Sequence, residues 1–313
     1  MARAIVHTEL GSPDVLRLVE VPDVAGPGEV VVRIEAAGVN PIDVKQRAGK
    51  RLLPPITEPR HVGFDGAGTI TAIGEGVTGF AVGERVAIGE TRGTYATALA
   101  VPVRNITRLL DGVTSAEGAS LSIPAGTAYQ SLHSLGVRKG DTLLIHAGSG
   151  AVGQAAIQFA VLWGATVIAT ASPARHEQLR ALGAIPVAYG DGLTDRVRDA
   201  APQGVTVALD GAGTDEAIRT SLELVADRAR IATIVRGPDA ASFGIQAYSG
   251  GSPDPLTEQQ LAWRHEAVGV AINLIEAGDL QVELGPELPL AEAARAHELI
   301  EQHATTGKII LIP

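Results

Sequence analysis

The sequence predicts an α/β protein, a β-rich first module joined to a doubly wound parallel sheet. Three observations predict it. An apolar, strand-like run at 142–147 leads straight into glycines spaced G-x-G-x-x-G at Gly148, Gly150 and Gly153. The first hundred residues hold short strand-like runs separated by Gly/Pro turns. From about Ile123 the rhythm changes, and apolar strands alternate with helical stretches.

In chain order, runs at 2–7, 16–21, 30–36, 68–73, 85–88 and 95–101 read as strands, punctuated by turns such as Gly11-Ser12-Pro13 and Ala25-Gly26-Pro27-Gly28. Alternation in Val32-Arg33-Ile34-Glu35-Ala36 gives that strand one buried face. Strands so spaced make a small barrel or sandwich. Further on, strands at 142–147, 166–171, 186–189, 205–210, 229–235 and 244–248 alternate with helices, which implies right-handed crossovers. Residues 258–277 read as one long helix stopped by Gly278, and the tail holds a helix at 291–303 and a closing strand at 308–312.

The glycine pattern gains meaning from its setting. Strand, turn, uncharged helix at 154–163 and second strand at 166–171 form a β-turn-α-β unit, which marks a dinucleotide site. In the loop Gly148-Ser149-Gly150-Ala151-Val152-Gly153, Gly148 serves the tight turn, Gly150 the close approach of backbone to pyrophosphate, and Gly153 the packing of helix on strand. The helix N-terminus offers unpaired N–H groups and a positive dipole end to the phosphates.

An NAD site places Asp or Glu at the end of the second strand to hold the ribose 2′-hydroxyl. Here that strand ends Ala169-Thr170-Ala171-Ser172-Pro173-Ala174-Arg175, with no carboxylate before Glu177. Ser172 leaves room for a 2′-phosphate and Arg175 can pair with it, so the cofactor is read as NADPH. The plainer role for these two is a helix N-cap and a solvated first-turn residue.

Composition narrows the class. At 313 residues the chain makes about two domains. Its net charge of −10, with no Lys/Arg run, argues against a nucleic-acid surface. With no cysteine there is no disulfide framework, thiolate nucleophile or cysteine zinc site. Residues 142–174 carry no Asp, Glu, Lys or Arg, which is long enough to cross a bilayer. Four glycines and the internal punctuation make that stretch a buried sheet unit instead. The N-terminal residues read as a strand, not a signal peptide. The expectation is a cytoplasmic protein with no membrane association.

At this point the chain resembles the medium-chain dehydrogenase/reductase superfamily, and within it the zinc-free quinone oxidoreductases, or ζ-crystallin-like proteins. The motifs that carry the resemblance are Ala37-Gly38-Val39-Asn40-Pro41-Ile42-Asp43, Gly63-Phe64-Asp65-Gly66-Ala67-Gly68-Thr69-Ile70, Gly79-Phe80-Ala81-Val82-Gly83-Glu84-Arg85-Val86, Gly93-Thr94-Tyr95-Ala96, Ala125-Gly126-Thr127-Ala128-Tyr129, the glycine loop, and Thr306-Gly307-Lys308-Ile309-Ile310-Leu311. The resemblance implies a GroES-like β-barrel catalytic domain at 1–123, a Rossmann NADPH-binding domain at 124–262, and a return to the catalytic domain at 263–313. In the zinc alcohol dehydrogenases of this superfamily, a Cys occupies about the place of Asn40 and a Gly-His-Glu signature that of Gly63-Phe64-Asp65. Neither ligand exists here, and the eight histidines show no paired spacing suggestive of a site.

The resemblance then implies hydride transfer from NADPH to a quinone or an α,β-unsaturated carbonyl without zinc, the protein supplying orientation and one or two hydrogen-bond donors. It implies a cleft lined by Asn40, Asp43, Lys45, Tyr95 and Thr127. Asn40 would sit beside the nicotinamide ribose or the acceptor oxygen, Lys45 would bond the ribose or polarise a carbonyl, and Thr127 would touch the nicotinamide end. Tyr189 would pack beside the 2′-phosphate, and Lys308 resembles a family lysine near the cofactor. As a buried sheet-end aromatic and a strand-edge lysine, these last two need no such role. Acceptor shape would be set by residues 50–60 and 249–255, with Arg47-Ala48-Gly49-Lys50-Arg51 giving a positive mouth. Relatives are commonly homodimers joined along a sheet edge, for which 244–248 is the candidate. Alternatives are a biosynthetic enoyl reductase and a non-catalytic NADPH-binding sensor or structural protein.

Overall fold

The alternation around Ile34 becomes a ten-residue strand in the computed structural model, which describes residues 1–51, 53–248 and 254–313. Two compact units emerge, one from Met1–Ile123 and His265–Pro313, the other from Pro124–Arg264.

In the first unit the strands are β1 (Ala2–His7), β2 (Arg17–Val21), β3 (Glu29–Gly38), β4 (Arg60–His61), β5 (Asp65–Ile73), β6 (Arg85–Ile88), β7 (Ala98–Pro102) and β8 (Ile106–Arg108). β1 lies between β2 and β4, antiparallel to both. β3 pairs antiparallel with β5 and β7, and the sheet continues through β6 to β8. Val30, Val32 and Ile34 of β3 are buried with Ile70, Val86 and Ile88, and Arg33 faces solvent. Burial of such branched side chains contributes roughly 1.5–3 kcal/mol each. The run read from Tyr95 becomes a strand only at Ala98, because the Tyr95 carbonyl bonds Ile5 of β1. Helix α1 (Pro41–Arg47) follows β3, with Asn40 as its N-cap and Pro41 in its first turn. α2 (Ser115–Gly118) is capped by Thr114, whose hydroxyl accepts from Glu117 N–H.

α3 (Ser122–Ser134) opens the second unit, whose strands are β9 (Thr142–His146), β10 (Thr166–Ala171), β11 (Ile185–Ala188), β12 (Val207–Asp210), β13 (Ile231–Thr233) and β14 (Gln246–Ala247). All pair parallel, in the order β11-β10-β9-β12-β13-β14. That is the doubly wound order of a dinucleotide-binding fold, with its switch point between β9 and β12. The helices are α4 (Ala151–Leu162), α5 (His176–Ala181), α6 (Leu193–Ala200), α7 (Asp215–Leu224), α8 (Ala240–Phe243) and α9 (Glu258–Ala277). The strand expected at 244–248 shrinks to two residues because Gly244, at φ 68°, ends α8 just before it. β14 closes one edge of the sheet.

The chain returns to the first unit at His265, within α9, and adds β15 (Leu284–Pro289), α10 (Ala293–Glu301) and β16 (Lys308–Ile312) to it. β16 lies between β15 and β3, so Lys308 is on an interior strand and not on an edge. The helix expected at 291–303 is shorter because Leu290–Glu292 forms a 3-10 turn first. Among the described residues no helix is long and apolar enough to cross a membrane.

Candidate active site

The loop between β9 and α4 is built so that only one of its glycines faces open space. Strand β9 is buried along its length, and Ala147 turns the chain at φ 62°. That residue takes the left-handed turn expected of Gly148, at a cost in backbone strain. A Cβ on Gly148 would meet Ala169 Cβ of β10 at 2.7 Å, so its role is close packing on the neighbouring strand. A Cβ on Gly153 would meet the Ala147 carbonyl at 2.4 Å, so it packs against the loop itself. At Gly150 the nearest atom would be 3.5 Å away. Gly150 caps α4 without a side chain, which leaves the first-turn N–H groups of Ala151, Val152 and Gly153 to an external acceptor. Ser149 is half-buried beside them.

The end of β10 holds no acid. Thr170 Oγ1 accepts from Ala147 N–H at 3.2 Å and so ties β10 to the loop. Ser172 and Arg175 stand half-buried just beyond, Ser172 heading a 3-10 turn with no side-chain cap. Tyr189, after β11, is 60% exposed, not buried as its sheet-end position suggested. Arg196 anchors its loop, its guanidinium donating to the carbonyls of Ala188, Gly190 and Asp191. These features fit a nucleotide whose 2′ position carries phosphate. Thr127 is buried in α3.

In the first unit, five polar residues meet in a buried cluster. Lys308 Nζ donates to Asp65 Oδ2 at 2.7 Å and to Asn40 Oδ1 at 2.5 Å. Asn40 Nδ2 donates to the same Asp65 oxygen at 3.0 Å, and Asp65 Oδ1 accepts from Ile123 N–H at 2.8 Å. Both charges are almost wholly buried, so their stability rests on this complete hydrogen bonding. Gly38 makes room: a Cβ there would meet Lys308 Cε at 2.6 Å. Asp43 joins through Oδ2, which accepts from Asn40 N–H at 2.9 Å and Tyr95 Oη at 3.0 Å. Its Oδ1 is buried without a partner. Burial, only partly offset by those donors and by Lys308, raises the Asp43 pKa to about 7. Tyr95, also fully buried and next to Asp43, is raised well above its ordinary value.

Asn40, Asp43, Tyr95 and Lys308 are thus brought together, and Lys45 is not among them. Lys45 is exposed on α1, its pKa lowered by lost hydration and then by Arg51 and Lys50. Arg47, expected at a positive mouth, is instead 1% exposed; it donates to Gly11 O at 2.5 Å and Glu301 at 2.7 Å. Asp65 is the partner that sequence reasoning passed over, although its motif was in hand. Of the segments expected to shape the acceptor, Leu52 and residues 249–253 lie outside the described residues.

Residues 26–111 match the alcohol dehydrogenase GroES-like domain, and residues 182–311 the zinc-binding dehydrogenase family. A quinone oxidoreductase of Pseudomonas aeruginosa is 33% identical, the match covering 100% of both chains. The chain belongs to the quinone oxidoreductase branch of the medium-chain dehydrogenase/reductase superfamily. Solved relatives agree with this branch. A mycobacterial protein complexed with NADPH is 31% identical with a TM-score of 0.83, and Escherichia coli quinone oxidoreductase complexed with NADPH is 25% identical, also with 0.83; each match covers 100% of both chains. The second family description raises the question of zinc, and the residues here do not fit it. Asn40 and Asp65 are both bonded to the Lys308 ammonium, and among the described residues no three His, Cys, Asp or Glu side chains gather as a ligand set. For this branch member the cation at that place is a lysine.

Proposed function

We propose that this member of the branch is an NADPH-dependent reductase that transfers hydride to a quinone or an α,β-unsaturated carbonyl without a metal ion. The observation that carries the reading is the Lys308 ammonium held between Asn40 and Asp65. With those oxygens bonded to the ammonium they are not free to ligate a metal, and in this reading the acceptor delocalises the developing charge itself. Quinones and enones do so.

In this reading the N–H groups of the Gly148–Gly153 loop bind pyrophosphate, with Ser172, Arg175 and Tyr189 around the 2′-phosphate. NADPH supplies a hydride from C4 of its dihydronicotinamide, and one proton from solvent completes each two-electron reduction. Asn40, Lys45 and Thr127 are assigned to orienting the nicotinamide and acceptor, and Lys308 acts through Asn40. The protein is further assigned as a homodimer, supported by the place of β14 at the end of the sheet order among the described residues. Light scattering at the mass of a single chain would remove that assignment.

The test follows oxidation of NADPH, then NADH, against benzoquinone, phenanthrenequinone, an alkenal, a cyclic enone and a simple aldehyde. NADPH oxidation with quinones or enones, and much less with NADH, is the expected outcome. Consumption with the simple aldehyde alone would overturn the mechanism, and tight NADPH binding without turnover would favour a sensor.

A further inference from the structure

We propose that a pocket in the first unit, under residues 53–61, binds the anionic group of an apolar electron acceptor, so that the preferred acceptors are quinones or enones carrying a carboxylate or sulfonate. This rests on the reductase reading given above. The pocket is an open concavity of about 540 Å³, within the volume range of a small-molecule site. Its apolar lining comes from Leu53, Pro54, Pro55, Ile56 and Leu99. Arg60, His61 and Arg92 also line it, with Glu58 the one acid.

The cations differ in what occupies them. Arg60 donates to Pro54 O at 2.6 Å and so pins the pocket wall. Arg92 lies over the Phe64 ring at 5.3 Å and makes no hydrogen bond or ion pair with another described residue. It is half-buried, and burial with the repulsion of Arg60 lowers its pKa. A partly desolvated guanidinium without a counter-ion, facing a second cation, is stabilised by an anion. The carboxyl in its electrostatic reach, Asp43, forms no ion pair with it and is held protonated up to about pH 7. His61 adds a buried Nδ1 with no partner. Burial lowers the His61 pKa, so the ring is neutral and able to hydrogen-bond. Lys50 and Arg51 lead into this segment, so the region is positive in a chain of net charge −10. Such local inversion concentrates anions from solution.

Calorimetric titration of the whole protein with naphthoquinone sulfonate and with unsubstituted naphthoquinone tests this, with and without saturating NADP⁺. The sulfonate should bind roughly tenfold tighter, and the preference should shrink with added salt. Arg92→Gln should bring the two affinities within about twofold and leave the neutral quinone unchanged, because the side chain holds no hydrogen bond to lose. Glu58→Gln, at an exposed position, should widen the preference. Equal affinities in the native protein, parallel loss of both ligands in Arg92→Gln, or displacement of the sulfonate by NADP⁺ would each overturn the assignment. Turnover separates the two readings. Arg92-dependent sulfonate binding with no NADPH oxidation would sink the reductase reading and keep the pocket. Equal turnover of both quinones, unaffected by Arg92→Gln, would do the reverse.

Discussion

Asp43 shows how one buried side chain ties the site to pH. Its pKa moves from 3.8 to about 7 because burial outweighs the two donors on Oδ2. A carboxyl raised in the fold is protonated more readily there than in the unfolded chain. Stability from this group is therefore full below about pH 3.8 and is lost as pH rises through about 7, by an amount on the order of a few kcal/mol. Asp43→Asn keeps an oxygen for Asn40 N–H and Tyr95 Oη, and should flatten that loss. Urea midpoints at pH 5 and pH 8 would show it; an unchanged difference between the two would count against a titrating Asp43. On the cofactor side, Arg175→Ala should raise KM for NADPH about tenfold or more and leave NADH unchanged. Equal effects on both cofactors would remove the 2′-phosphate assignment.

At the scale of elements, the β9–α4 loop separates packing glycines from a binding glycine. Gly153→Ala forces a Cβ to 2.4 Å from the Ala147 carbonyl and should lower Tm sharply. Gly150→Ala meets nothing nearer than 3.5 Å, so it should fold normally yet bind NADPH roughly tenfold more weakly. Thermal melts beside NADPH titrations decide this; an unfolded Gly150→Ala or one of native affinity would refute it. This loop was legible because spacing, strand and helix are contiguous. Its division of labour was not, since Gly148 packs on Ala169, twenty-one positions on, and the left-handed turn falls to Ala147. β15 escaped notice because Gly285-Pro286 and Pro289 read as turn residues. It forms only by pairing parallel to β16. Arg47 misled in the same way, since its partner Glu301 is 254 positions distant.

For the molecule as a whole, two buried histidines favour unfolding as the pH falls. His297 is held at about 3 by burial, then by Arg47 and His7, and neither ring nitrogen has a partner. His146 is lowered too, chiefly by burial. Groups depressed in this way are neutral in the fold and take up protons only on unfolding. Their stability is full above the unfolded value of 6.5 and falls as pH drops toward the folded values. His297→Leu should move the acid-unfolding midpoint, followed by circular dichroism, to lower pH; an unmoved midpoint would exonerate His297. The doubly wound order was readable from the alternation of strands and helices, because each crossover is local. The polar centre of the first unit was legible only in part: the resemblance put Asn40, Asp43 and Tyr95 in one cleft, but Asp65 and its bond to Lys308 join segments too distant for local pattern to pair.

That arrangement has a consequence for synthesis. Asp65 and its lysine are 243 residues apart. While a ribosome is still adding the second unit, the first has a carboxylate destined for its interior and no cation to receive it. Val39 N–H likewise waits for Ile309 O. The N-terminal module therefore cannot complete these contacts until the last strand has been made, after every residue of the nucleotide-binding unit.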